Sequence, residues 1–186
     1  MRDGLLLINE IFYSLQGEGF HTGTPAVFIR LSGCNLRCDF CDTDFTAFAP
    51  MTVEEIVAEV VKYPAKTIIL TGGEPSLQNI LPLIDTLHQA DKKVHIETNG
   101  TRSLPATIDW ITCSPKPGGK LALTRCDELK IVYTGQDVES IAAAIYSTHR
   151  FLQPCSGLNT PAVIEYILSH PHWRLSLQTH KLLSIP

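Results

Sequence analysis

Ala26-Val-Phe-Ile-Arg-Leu-Ser-Gly-Cys-Asn-Leu-Arg-Cys-Asp-Phe-Cys41 joins an apolar, β-rich run to three crowded cysteines. The run from Ala26 to Leu31 reads as a buried strand, because branched and aromatic side chains fill it and a Ser-Gly turn ends it. Working outward, similar runs recur at Thr67 to Leu70, Lys93 to Ile96, Asp109 to Thr112, Glu128 to Tyr133 and Arg174 to Leu177. Helical patterns lie between them. Thr52 to Tyr63 opens with a Thr-x-x-Glu capping box at Thr52 and Glu55. Further helices are expected over Leu77 to Ala90 and Asp137 to Ser147, and a last one from Thr160 as N-cap with Pro161 at the first helical position.

Strands alternating with helices predict an α/β fold with about six parallel strands and crossover connections. Eight βα units take roughly 250 residues. At 186 residues the chain is too short for that, so a partial, open parallel βα barrel is expected. No repeat or linker-like segment interrupts it, and residues 1–186 read as a single domain. The polar motifs at Thr71 to Pro75, Glu97 to Gly100, Ser114 to Lys116, Gln153 to Ser156 and Gln178 to His180 fall at strand ends. In a parallel sheet those ends share one rim, which predicts the active site there.

Composition narrows the class. With 44% hydrophobic and 18% charged residues the chain can bury a real core. No stretch approaches the ~20 apolar residues of a membrane span, and the N-terminus has neither a long apolar region nor a cleavage site. A formal charge of −4 with scattered Lys and Arg offers no basic stripe. A soluble, cytoplasmic protein without nucleic-acid or membrane partners is expected.

The three-then-two spacing of Cys34, Cys38 and Cys41 lets one loop wrap a metal centre, and Cys113, Cys126 and Cys155 stand apart as bland thiols. Three thiolates on a four-iron cluster leave one iron open, which the amino and carboxylate groups of S-adenosylmethionine (SAM) would fill. A zinc site is the alternative, but it needs a remote fourth ligand such as His21 or Cys113. Two adjacent glycines at Gly72 and Gly73 would let a ligand approach the backbone. Arg30 is a charge in an otherwise apolar strand, so it needs a partner; a substrate carboxylate suits its fork, and an ion pair with Glu18 is the alternative.

The three cysteines with Thr71-Gly-Gly-Glu-Pro75 resemble the radical SAM superfamily, in which the Gly-Gly-Glu segment contacts the methionyl end of SAM. Ser14 to Gly19, Phe28 to Leu31, Gly33 to Cys38, Cys41 to Thr43, Glu97 to Gly100, Ser114 to Lys116, Glu128 to Lys130, Leu152 to Pro154 and Leu175 to Lys181 resemble the 7-carboxy-7-deazaguanine synthase family. That resemblance implies a homodimeric lyase converting 6-carboxy-5,6,7,8-tetrahydropterin to 7-carboxy-7-deazaguanine with loss of ammonia, for queuosine-type deazapurines. It further implies a 4Fe-4S cluster, SAM as a reusable cofactor, Mg2+, and a flavodoxin or ferredoxin-type electron donor.

Residue by residue, the resemblance assigns substrate contacts to Leu15, Gln16, Gly17, Arg30, Thr71, His180 and the chain-ending Pro186. Thr43 matches the magnesium ligand. Phe40, Cys41, Asp42, Gly73, Ser114, Pro115, Lys116, Gln153, Pro154, Cys155 and Ser156 match SAM contacts, although Cys155 is unexpected there and reads as space filling. His180 is expected at the end of the last strand. Two other functions compete: a radical SAM activase that makes a glycyl radical on a partner protein, and a non-catalytic iron–sulfur electron carrier. The first needs a partner groove in place of a carboxylate pocket; the second needs no SAM motifs and usually has a fourth cysteine ligand.

Overall fold

The computed structural model describes residues 4–41 and 47–186. Among them nine strands form one sheet in the order β3-β1-β2-β4-β5-β6-β7-β8-β9. Strands β2 (Pro25–Leu31), β4 (Thr67–Gly72), β5 (Lys93–Thr98), β6 (Trp110–Cys113), β7 (Arg125–Tyr133), β8 (Tyr146–Pro154) and β9 (Arg174–Leu175) run parallel. Strands β1 (Leu6–Leu15) and β3 (Ala49–Met51) extend the sheet antiparallel at the β2 edge. The sheet stays open, and its class is the α/β partial barrel read from the sequence.

Alternation along each strand divides the two faces. Val27, Ile29, Leu31, Ile68, Leu70, Val94 and Ile96 point to one face and are buried with Ile56, Val60, Leu83, Ile84 and Leu87 of α1 (Val53–Val60) and α2 (Leu81–Gln89). Farther along, Leu129, Ile131 and Leu152 pack with Val138 and Ala142 of α3 (Val138–Ala144) and Val163 of α4 (Thr160–Ser169). Their neighbours in sequence, Arg30, Thr71, Glu97, Lys130 and Gln153, line a cavity on the opposite face. The apolar face holds the fold and the polar face is left for chemistry.

Several boundaries differ from the sequence reading. One more parallel strand is present than expected. It is β8, where the predicted helix ends at Ala144 and the chain turns into a strand at Tyr146. Ser147 and His149 interrupt the apolar signal, but pairing from Arg125↔Tyr146 to Tyr133↔Pro154 fixes the strand. Asn9 and Glu10 hide β1 in the same way, next to a register shift between Ile8 and Glu10. The helix expected from Leu77 begins only at Leu81, after a 3-10 turn over Pro75–Leu77. Asn159, not Thr160, is the N-cap of α4. The last strand stops at Leu175, and His180 lies in a short helix, α5 (Thr179–Leu183), not at a strand end.

The capping box is present as read: Thr52 accepts from the Glu55 backbone N–H, and Glu55 accepts from the Thr52 N–H. Thr52→Ala removes one of these bonds, and urea denaturation should show a loss of about 1 kcal/mol.

Candidate active site

A cavity of about 1000 Å³ opens on the polar face, with the cysteine loop forming one wall. Cys34, Cys38 and Cys41 all line it, and none of the three is in a disulfide. The loop is locally ordered by a hydrogen bond from Cys41 N–H to the Cys38 carbonyl (3.0 Å). Burial pushes the Cys38 thiol up, the nearby Lys116 ammonium draws it down, and Cys41 and Cys34 push it up again. Cys34, Cys38 and Cys41 line one cavity, and three thiolates are a donor set of the kind an iron–sulfur cluster takes.

The glycine-rich turn closes against this loop. Gly73 N–H donates to the Leu31 carbonyl (3.0 Å) and Glu74 N–H to the Gly33 carbonyl (2.8 Å). A Cβ on Gly73 would stand 1.9 Å from the Gly33 oxygen, so the glycine is required by the cluster loop's own backbone. The sequence reading gave this close approach to a ligand alone.

Charged groups gather in the same cavity. Lys130, whose side chain is 5% exposed, lies 2.7 Å from Glu18 and 2.9 Å from Glu97. Gln16 Nε2 donates to Glu97 (3.1 Å), while Gln153 Nε2 and Gln178 Nε2 each donate to Glu18 (3.0 Å). Burial alone would raise Glu18, but the Lys130 ammonium overrides it and brings the carboxyl to about 2. Burial raises Glu97 and drives Lys130 down; the carboxylates around Lys130 reverse that and hold it above its ordinary value. Glu18 therefore does not pair with Arg30. Arg30 Nε instead donates to Glu10 (2.6 Å) and its guanidinium lies over Phe12 at 5.7 Å. Phe12 in turn stacks on Phe28.

Leu15, Gln16, Gly17, Thr71, His180 and Pro186 line the same cavity, as do Phe40, Gly73, Ser114, Lys116, Gln153, Pro154, Cys155 and Ser156. Ser14 Oγ donates to the Pro186 carbonyl oxygen (2.8 Å), which holds that residue at the cavity edge. Lys116 Nζ donates to Ser114 Oγ (2.5 Å). Pro115 is outside the lining. Asp42 and Thr43 lie outside the described residues. Cys113 and Cys126 are buried in the core and are outside the cavity lining. Glu10, Glu18, Glu97 and Lys130 were not assigned a site role from the sequence. The signal for the last was present: Glu128 and Lys130 are two charges at strand period in an apolar run.

An open α/β sheet that sets a Cys-x3-Cys-x2-Cys loop against a Gly-Gly-Glu turn at its strand ends defines a radical SAM enzyme, and residues 28–112 match the model of the radical SAM superfamily. The 7-carboxy-7-deazaguanine synthase of Bacteroides thetaiotaomicron is 65% identical over 96% of this chain and 97% of its own length. That of Nitratidesulfovibrio vulgaris is 42% identical over 96% and 98%. The crystal structure of QueE from Escherichia coli superimposes with a TM-score of 0.79 at 31% identity, covering 94% of each chain. The chain belongs to the 7-carboxy-7-deazaguanine synthase family, radical SAM enzymes of deazapurine biosynthesis that use a 4Fe-4S cluster and SAM.

Near this charged cluster, Glu128 is 2% exposed; one oxygen accepts from Phe20 N–H (3.0 Å) and the other has no partner among the described residues. Burial pushes this carboxyl up to about 7 from its ordinary 4.5. Its folded value is the higher one, so its contribution to stability is full below pH 4.5 and is lost as the pH rises through 7. Glu128→Gln should therefore stabilise the protein above pH 7 by at most about 3 kcal/mol. Urea titrations across that range should show the gain shrinking toward zero in acid.

Proposed function

We propose that this enzyme converts 6-carboxy-5,6,7,8-tetrahydropterin to 7-carboxy-7-deazaguanine with loss of ammonia. The observation that carries the reading is the cavity's mixed chemistry: a three-thiol loop and a dense set of largely buried donors and acceptors line one space. A pterin presents several N–H groups and ring nitrogens in one plane, and Glu18, Glu97, Lys130 and Gln16 offer partners of both kinds. Arg30 is the cation suited to the substrate carboxylate, because a guanidinium fork matches a carboxylate and is never deprotonated. Its bond to Glu10 and its seat on Phe12 hold that fork in one direction.

The cluster and SAM supply the one-electron chemistry that starts hydrogen removal from the substrate. The protein's own residues bind and orient. The glycine turn brings the strand end against the cysteine loop, and Ser114 and Lys116 furnish polar contacts for the cofactor. Gln153 to Ser156 cover it, while Leu15 to Gly17, Thr71, His180 and Pro186 enclose the substrate. Holding both molecules in one enclosed space replaces a bimolecular encounter with an oriented one. With this role come a homodimer in the cytoplasm, a flavodoxin or ferredoxin-type donor, and Mg2+ taken in part by Thr43.

Anaerobic turnover of 6-carboxy-5,6,7,8-tetrahydropterin with SAM and reductant should give a product lighter by the mass of ammonia; unchanged substrate would reject the proposal. In iron analysis, Cys34→Ala, Cys38→Ala and Cys41→Ala should each fail to hold the cluster, whereas Cys113→Ala, Cys126→Ala and Cys155→Ala should retain it. Arg30→Ala should raise KM by on the order of tenfold or more, the cost of a lost charge-assisted pair, while SAM binding persists. Equal loss of both would make Arg30 structural.

A further inference from the structure

Cys34 is flanked by two residues, one tied to the glycine turn and the other to the chain just beyond β5. On one side the Gly33 carbonyl accepts from Glu74 N–H. On the other, Asn35 belongs to a closed ring of three side chains. Asn35 Nδ2 donates to Thr101 Oγ1 (2.8 Å), Thr101 Oγ1 donates to Asn99 Oδ1 (2.7 Å), and Asn99 Nδ2 donates to Asn35 Oδ1 (3.0 Å). Each member gives one bond and takes one, so the bonds polarise one another in a single direction.

The ring is anchored to the core. Thr101 N–H donates to Asn99 Oδ1 (3.0 Å), and Asn99 N–H donates to Glu74 Oε2 (2.7 Å). The Glu74 carboxylate, fully buried, also accepts from Thr98 Oγ1 (2.8 Å) and Ser76 Oγ (2.6 Å). An exposed asparagine on the cysteine loop is thereby coupled to a buried carboxylate between two strand ends. Between Asn35 and this anchor lies the orientation of the next peptide, whose Leu36 N–H points at Cys34 Sγ at 3.5 Å.

We propose that Asn35, Asn99 and Thr101 form a clamp that positions Cys34 for the cluster and sets how firmly the cluster is held and how readily it is reduced. The proposal rests on the reading of Cys34, Cys38 and Cys41 as its ligands. Groups that orient metal ligands from outside the ligand set control retention strongly, and hydrogen bonds to ligand sulfur raise the reduction potential. Asn99, whose amide oxygen and nitrogen are both engaged in the ring, acts as a positioning residue here.

The test uses the anaerobically reconstituted full chain. Thr101→Val keeps the side chain's shape and removes the hydroxyl from the ring; Thr101→Ser restores it. Thr101→Val should take up the cluster but release iron to a ferrous chelator about tenfold faster than wild type, with a lower midpoint potential, while Thr101→Ser behaves as wild type. Asn35→Ala, a change on an exposed loop residue, should repeat the Thr101→Val result and guards against a folding defect in that variant. Wild-type release or potential in both Thr101→Val and Asn35→Ala would overturn the clamp, as would equal acceleration in Thr101→Ser. Cluster retention by Cys38→Ala would instead remove the ligand reading itself, and the clamp with it.

Discussion

The ion pairs of Lys130 with Glu18 and Glu97 hold the charged part of the polar face together. A lysine at 4% exposure on a central strand is tolerable only with opposite charge at contact distance. Glu97 comes from β5, two strands away across β6. Glu18 comes from the turn between β1 and β2, so pairing it draws that turn inward over the strands. The two partly buried carboxylates are then satisfied in their turn by Gln16, Gln153 and Gln178. One buried cation thus organises residues from four stretches of chain besides its own.

This arrangement has chemical consequences. Groups already bonded to one another do not have to reorganise when a ligand arrives, which lowers the cost of orienting it. The Lys130 cluster also leaves the two carboxylates unlike. Glu18 is held strongly acidic by the shared ammonium, whereas burial and the charge of Glu18 raise Glu97. Two similar side chains thereby acquire different proton affinities from their surroundings alone.

Much of this was legible in the sequence. The capping box, the alternation of strand and helix, and the cysteine spacing each carry a local physical signal, and each reappears in the structure. The strand-end rim was equally readable, because a parallel sheet leaves its loops no other place. What escaped was set by partners distant in the chain. Strand β8 is specified by pairing with β7 more than by its own polar residues, and Asn9 and Glu10 disguise β1. Arg30 announced the need for a carboxylate, but nothing local distinguished Glu10 from Glu18. The choice follows from register, since Glu10 pairs directly with Arg30 across the antiparallel strands. His180 likewise sits in a helix whose five residues are too short to leave a periodic signal.

The open edge of the sheet raises a last structural question, because the polar face must be enclosed without a closing ladder of hydrogen bonds. The β1–β2 turn performs that closure. Thr179 N–H donates to the Gly17 carbonyl (2.9 Å), and Gly19 N–H donates to Ser176 Oγ (3.0 Å), joining the turn to the chain just beyond β9. Gly19 has a φ of 66°, and a Cβ there would stand 1.9 Å from the Glu128 carboxylate. No other residue combines that backbone conformation with that approach. The same turn carries Gln16 and Glu18 to Lys130, so the groups that bridge the open sheet are the groups that furnish the cavity. Enclosure and recognition are therefore one arrangement, and an insertion that lengthened the turn would cost both together.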